Sequence, residues 1–290
     1  MKQLDAFGFD PVARDWKPIS QLGERWSSPA TSSSTAGQDA IVVATYNVWF
    51  NPHERERRWR ALVDEVQRND PDVIAFQEVT RPFLALLRDL PWVQREYSIS
   101  DPDGRTIERY GIVLLSRRPL DGLTLHDMPS HMGRKLLVAH FAGSLAVATI
   151  HLESLRPSAP IRDLQFARCV EILDAFDHAM LMGDMNFCSS WAEENARIPD
   201  SYTDVWPYLH PDDPGYTEDT SINHMLSLYE QRTKRVRYDR IFLRSQGEVW
   251  QPLSIKRLGT RPIGDDLLLF PSDHFGLTAR FARDDVPFAA

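Results

Sequence analysis

The chain has 290 residues, 42% hydrophobic and 26% charged, so it is long enough to bury a substantial core and ordinary in composition for a globular protein. Its formal net charge of −8 argues against bulk electrostatic binding of long nucleic acid, which goes with a basic domain. No apolar stretch approaches the roughly 20 residues that span a membrane, and the first ten residues lack a secretory h-region. Two cysteines, Cys169 and Cys188, are too few for a disulfide framework or a cysteine-based zinc site. The expected setting is intracellular and reducing: cytoplasmic in a bacterium, nuclear or cytoplasmic in a eukaryote.

Residues 1 to about 40 read as an irregular arm. Pro11, Pro18 and Pro29 punctuate it, Ser27-Ser28 and Thr31 to Thr35 enrich it in hydroxyls, and Trp16, Leu22 and Trp26 are available to pin it to a body. From Ile41 onward strands and helices alternate. Ile41 to Ala44 is a strand. His53 to Asn69 carries Trp59, Leu62, Val63 and Val66 at i, i+3, i+4 and i+7, the spacing of an amphipathic helix. Asp72 to Gln77 is a buried strand, and Arg81 to Leu90 a helix stopped by Pro91. Tyr110 to Ser116, Leu136 to Phe141 and Leu145 to Ile150 are strands, the last two a hairpin about Gly143-Ser144. Ser158 to His178 reads as a long helix with Ile161, Leu164, Ile172 and Phe176 toward the core, followed by the strand Ala179 to Met182. A loop-rich stretch with Pro199, Pro207, Pro211 and Pro214 precedes the strands Val236 to Leu243, Trp250 to Ile255 and Phe275 to Phe281. There is no internal repeat. The pattern predicts one α/β domain over 41–290, a β-sandwich core flanked by helices. Three basic runs are candidate phosphate-binding patches: His53 to Arg60, Arg117-Arg118 and Arg232 to Arg240. The first two read more simply as solvated faces.

Several of the apolar runs stop at a carboxylate, amide or imidazole, which places a polar site along one rim of a sheet. Glu78 follows the strand ending in Phe76-Gln77, where an unpaired carboxylate is unfavourable, so it is a candidate cation ligand. Hard oxygen and amide donors favour Mg²⁺ or Mn²⁺ over zinc. Asp184 and Asn186 sit two apart in Gly183-Asp184-Met185-Asn186; in an extended segment they share a side, as a water-activating carboxylate beside a phosphate-binding amide. His151 and His274 are candidate donors to a phosphoryl oxygen, and Asp239, on a separate strand, is the carboxylate that could orient His274. Each has a plain alternative: Glu78 as a solvated strand end, the Asp-Met-Asn segment as an Asx turn, each histidine as structural.

Taken together and in order, these segments resemble the endonuclease/exonuclease/phosphatase superfamily, whose fold is a four-layer α-β-β-α sandwich of the deoxyribonuclease I type. The matching residues are Asn47 in TYNVW, Glu78 in FQEV, His151 in HLES, Asp184 and Asn186 in GDMN, Asp239 in YDRIF, and Asp273 and His274 in SDHFGL. The resemblance spans residues 41 to about 282. Longer strings, ATIHLESLR (148–156), MGRKLLVAHF (132–141), DVWPYL (204–209), DPGYTEDTSIN (213–223) and RYDRIFLR (237–244), are similar to the 5′-tyrosyl-DNA phosphodiesterase branch.

The resemblance implies hydrolysis of a 5′-phosphotyrosyl bond on a single-stranded DNA end in DNA repair, by a monomer, with no membrane involvement. Glu78, Asn47 and Asp273 would hold Mg²⁺, with Mn²⁺ able to substitute. Asp184 would activate water, Asn186 bind the phosphate, His151 and His274 steady it, and Asp239 orient His274. Arg134 and Ser154 would touch phosphate, and Tyr110 would face the adduct. Two features depart from the branch. Glu218 stands where the branch tends to carry an aromatic residue beside the first nucleotide, and a carboxylate there is expected to repel a phosphate backbone. Only the short arm precedes the body, so no appended ubiquitin-binding type of domain is expected. Glu218 and the acidic balance favour an alternative with the same site but another substrate: an RNA 5′ adduct, a 2′-5′ oligonucleotide or a small phosphodiester. A catalytically dead binding module is disfavoured because each catalytic position is filled, and a phosphoinositide or sphingomyelin phosphodiesterase because no membrane-facing apolar stretch is present.

Overall fold

Side-chain alternation along the strands sets the inner layer of the molecule. Ile41 and Val43 of strand Ala40–Asn47, Val73 and Ala75 of Val73–Val79, Val147 of Leu145–His151, and Met180 and Met182 of His178–Asp184 join one buried cluster. Tyr46, Ile74 and Phe76, from alternate positions, join a second cluster on the far side of their sheet. Strands covered on both faces read as continuous apolar runs, which is why these four stand out in the sequence.

The structure is a computed structural model and describes residues 1–23, 40–229 and 233–283. Among these residues, one sheet has eight strands, in spatial order Trp250–Leu258, Gly276–Arg283, Ala40–Asn47, Val73–Val79, Gly111–Ser116, Ser98–Ile99, Phe7–Asp10 and Asp15–Pro18. The other has seven: Lys2–Gln3, Gly122–Asp127, Lys135–Phe141, Leu145–His151, His178–Asp184, Asp239–Ser245 and Thr203–Asp204. Each sheet contains one parallel pair, Ala40–Asn47 with Val73–Val79 and Leu145–His151 with His178–Asp184. Parallel neighbours need a crossover helix, here Arg55–Arg68 and Ala159–Leu173 respectively. Trp59, Leu62, Val63 and Val66 of the first helix cover one outer face, and Phe166, Cys169 and Leu173 of the second cover the other. The result is a four-layer α-β-β-α sandwich, as expected.

Four sequence expectations change. Residues 1–23 are not irregular: Phe7–Asp10 and Asp15–Pro18 form a hairpin on the edge of one sheet and Lys2–Gln3 pairs with the other, with Trp16 and Leu22 buried. The Ser/Thr-rich part of the arm and Trp26 lie outside the described residues. Pro91 ends one helix and begins another, Pro91–Glu96, since Leu90 before it is extended while proline suits a first helical turn. The helix read as Ser158 to His178 ends at Leu173, and His178 opens the next strand. Its buried face is Arg162, Gln165, Phe166, Cys169 and Leu173, whereas Leu164 is 60% exposed. That face was hidden from a hydrophobicity count because two of its members are polar. The strand Gly122–Asp127 was also missed, while the hairpin about Gly143-Ser144 forms with both residues at positive φ.

Gln77 crosses the sandwich near the rim. Its amide donates to Thr45 Oγ1 (2.9 Å) in its own sheet and to Thr149 Oγ1 (3.0 Å) in the other. This buried polar bridge fixes the spacing of the two sheets beneath the predicted site.

Candidate active site

Strand register brings three predicted residues into line. His151 pairs with Asp184 across parallel strands, and Asp184 pairs with Asp239 across antiparallel ones. The close approach requires Gly183, where a Cβ would stand 1.9 Å from Ile150 O. On the facing sheet Asn47 closes its strand, and its Nδ2 donates to Asp184 Oδ2 at 3.0 Å, so the two rims meet there. Ser272 Oγ donates to Asn47 O (2.7 Å), which ties in the segment that carries Asp273 and His274. Glu78 is not a plain strand end. It occupies a bulge where register breaks between Phe76 and Val79, with φ at +60°, and Phe50 N donates to its Oε2 at 3.0 Å. Trp49, whose N–H donates to Asn47 Oδ1 at 3.0 Å, also takes positive φ.

Asp184 is the point of convergence. Its Oδ2 lies 3.3 Å from His151 Nε2 and 3.8 Å from His274 Nε2, and its Oδ1 accepts from Asn186 N at 3.0 Å. Burial pushes its carboxyl up, but the charged His274, with the bonds donated by Asn186 N and Asn47 Nδ2, more than offsets this and holds it below the usual range. The two rings differ. His151 is driven down to about 3 by burial and by the Arg134 guanidinium, whose Nη1 donates to His151 Nδ1 at 3.0 Å. His151 is therefore neutral, with its hydrogen on Nε2 toward Asp184. Burial opposes charge on His274 too, but Asp239, Glu218, Asp273 and Asp184 raise it well above its ordinary value. Its Nδ1 bonds Asp239 Oδ2 at 2.8 Å, and its Nε2 stands 3.4 Å from Glu218 Oε1.

Comparison with known proteins identifies the family. Residues 44–274 match the Endonuclease/Exonuclease/phosphatase family. The chain belongs to that family. It is 30% identical to the Xenopus tropicalis tyrosyl-DNA phosphodiesterase 2 over 87% of this chain and 69% of the relative. It is 28% identical to the 5′-tyrosyl-DNA phosphodiesterase of Caenorhabditis elegans over 97% of this chain and 79% of that one. Among solved structures, D. rerio TDP2 complexed with a single-strand DNA product superimposes with a TM-score of 0.72 at 25% identity, covering 83% of this chain and 98% of that chain. The chain is thus a phosphodiesterase, a hydrolase of ester bonds, and such enzymes generally depend on a divalent metal. No helix among the described residues is long and apolar enough to cross a membrane.

The donor set suits such a cation. Desolvation raises the Glu78 carboxyl above its ordinary value, and burial pushes Asp273 up to about 7, with Glu218 and Glu78 adding to the effect and His274 opposing it. Two acids held in that state are stabilised by a positive ion between them. No three His, Cys, Asp or Glu side chains among the described residues form a ready cluster. A cation here would draw on Glu78, Asp273 and the Asn47 amide, with water and phosphate oxygens for the rest, the habit of Mg²⁺.

Arg134, Ser154 and Tyr110 gather on the His151 side. Arg134 Nη2 donates to Ser154 Oγ (2.8 Å), its guanidinium lies 5.4 Å from the Tyr110 ring centre, and Tyr110 stacks on Phe50 at 5.0 Å. Arg134 and Tyr110, with His151, line a cavity of about 340 Å³, and Ser154 is tied to it through Arg134. Asn186 is not side by side with Asp184 on an extended strand: the chain turns, its Nδ2 donates to Leu152 O at 3.0 Å, and the local geometry is the Asx turn. Glu218 is buried and paired with Lys234, so it does not present its charge to an open groove.

The residues that sequence reasoning missed hold loops rather than substrate. Arg58, fully buried inside the basic run read as solvated, donates to the carbonyls of His53, Trp49, Asn51 and Pro271, and burial brings it down to about 10. Arg162 donates to Glu153 O and Leu155 O and pairs with Glu194, while Glu153 accepts from Ser130 Oγ and His131 N. Together they set the loop before Arg134 against the one after His151. The other basic runs are largely taken up by ion pairs with carboxylates of the same chain. Arg117 and Arg118 pair with Asp72, Arg237 and Arg240 with Asp204, and Arg235 with Asp219; Arg232 lies outside the described residues. Carbonyl caps and buried pairs leave no periodic signature in a sequence.

Proposed function

We propose that this chain hydrolyses the 5′-phosphotyrosyl bond of DNA–protein adducts at a single-stranded end, as a monomer, using Mg²⁺ or in its place Mn²⁺, and leaves a 5′-phosphate on the DNA. The observation that carries the reading is the convergence of Asn47, His151 and His274 on Asp184, beside the acidic pair Glu78 and Asp273. The relatives named for this activity support the substrate class.

In this reading Asp184 orients a water molecule and takes its proton. The water oxygen bonds to phosphorus as the bond from phosphorus to the tyrosine oxygen breaks. Tyrosine departs as a phenolate, a good leaving group because its ordinary pKa is about 10, and takes its proton from solvent afterwards. His151 and His274 turn their Nε2 hydrogens toward the phosphoryl oxygens, His151 as a neutral donor and His274 as a cation fixed by Asp239. Arg134 and Ser154 hold a non-bridging oxygen, with Tyr110 against the adduct. A bound cation held by Glu78, Asp273 and Asn47 would neutralise charge on the phosphoryl group.

The test uses a single-stranded oligonucleotide bearing a 5′-phosphotyrosine, with EDTA and Glu78→Ala as controls. Tyrosine release that is lost in both controls is the expected result. A series of lengthening oligonucleotides then sets DNA against small phosphodiesters: turnover should improve as nucleotides are added. A flat series moves the substrate to a small phosphodiester and leaves the site as described.

A further inference from the structure

Glu218 has a partner that the site chemistry above does not use. It lies in a two-stranded ribbon, Glu218–Asp219 against Arg235–Val236, that stands over the His274 side of the rim. The residue before it grips the same machinery: Thr217 Oγ1 accepts from Tyr238 N and Asp239 N (both 3.1 Å), and Thr217 O accepts from Phe275 N at 2.6 Å. The ribbon is therefore fastened both to the strand carrying Asp239 and to the segment carrying His274. From it the Glu218 carboxylate, 3% exposed, reaches His274 Nε2 with Oε1 at 3.4 Å and pairs with Lys234 Nζ through Oε2. His274 is thus flanked by two acids, Asp239 on Nδ1 and Glu218 on Nε2, with Asp184 farther off at 3.8 Å.

The nitrogen that Glu218 engages is the one the proposed function needs for the phosphoryl oxygen, so the two compete for a single N–H. We propose that Glu218 is a positioning residue: it holds the His274 Nε2 hydrogen while the site is empty and yields it to an incoming phosphate, with Lys234 retaining the released carboxylate. A charge-assisted bond to Asp239 fixes the ring at Nδ1, and the Glu218 carboxylate 3.4 Å from Nε2 orients its other edge before substrate arrives. Lys234 keeps the freed acid neutralised and away from the phosphate, where two anions would repel. The expected repulsion of a phosphate backbone by Glu218 is replaced by an exchange of partners. This inference rests on the proposed role of His274, not on phosphotyrosine as the substrate.

Two variants and two readouts test it. Glu218→Ala removes the competitor, so inorganic phosphate, titrated by calorimetry, should bind about tenfold more tightly. The same variant leaves one side of the ring unheld, so kcat on a generic phosphodiester such as bis(p-nitrophenyl) phosphate should fall about tenfold while KM also falls. Glu218→Gln keeps the shape and an accepting oxygen and should restore most of kcat. Because both readouts use small phosphate compounds, they stand even if phosphotyrosyl DNA proves not to be the substrate. Weaker or unchanged phosphate binding in Glu218→Ala, with Glu218→Gln folded and showing the same melting temperature as the parent, overturns the proposal. So does a loss of kcat in Glu218→Gln as large as in Glu218→Ala.

Discussion

The two flanks of Asp184 are built from the same residue type and opposite electrostatics. On one side His151 sits against Arg134 and is held neutral; on the other His274 sits among Asp239, Glu218 and Asp273 and is held charged. Both rings are buried, so burial alone does not decide the charge state; the nearest ion does. Two histidines in a symmetric-looking pair therefore hold different charge: a neutral ring backed by a cation, and a cationic ring backed by acids.

The largest expected effect comes from removing what the flanks share. Asp184→Asn should lower kcat on the order of 10³-fold while a 5′-phosphorylated oligonucleotide still binds, as followed by fluorescence anisotropy; substantial turnover would refute its role. Asp239→Asn strikes the acidic flank alone and should lower kcat about 10²-fold, with little change in KM, because the ring loses its anchor and its charge. Arg134→Met strikes the basic flank, and about a tenfold rise in KM is expected, the scale of a lost charge-assisted bond. If the two flank variants gave the same kinetic signature, the asymmetry would be wrong.

A smaller effect is on pH. His151 titrates at 6.5 when unfolded and at about 3 in place, so the unfolded state binds its proton first. Its contribution to stability is complete above 6.5 and is lost progressively as pH falls from 6.5 toward 3. In Arg134→Met the folded value rises, which narrows that window; melting temperatures followed from pH 7 to 4 should therefore fall less steeply than in the parent. An equal or steeper slope would remove Arg134 as the cause.

Much of this was legible in the chain because alternation and apolar run length report strands directly. His151, Asp184 and Asp239 end or begin such runs, and register then aligns them without further information. Asp239 is found as the partner of His274 by the same logic. Glu78 was found for a different reason from the one the structure reveals: a bulge, not a strand end, turns it inward, and a bulge changes only the count of residues between hydrogen bonds. Glu218 could be flagged as unusual but not located, since its burial depends on Lys234, 16 residues away in sequence. Arg58 and Arg162 look like surface charge because the carbonyls they satisfy belong to loops that exist only in the folded molecule. The edge strands of residues 1–18 contain a proline, Pro18, and several charges, and pair along sheet borders, where alternation is weakest.

The most direct test of the central claim is a crystal structure of Asp184→Asn with Mg²⁺ and an uncleaved 5′-phosphotyrosyl oligonucleotide. The account predicts the phosphate between His151 and His274, the cation on Glu78 and Asp273, and the Glu218 carboxylate withdrawn from His274 toward Lys234. A phosphate seated away from both histidines, or a cation that ignores Glu78 and Asp273, would contradict it.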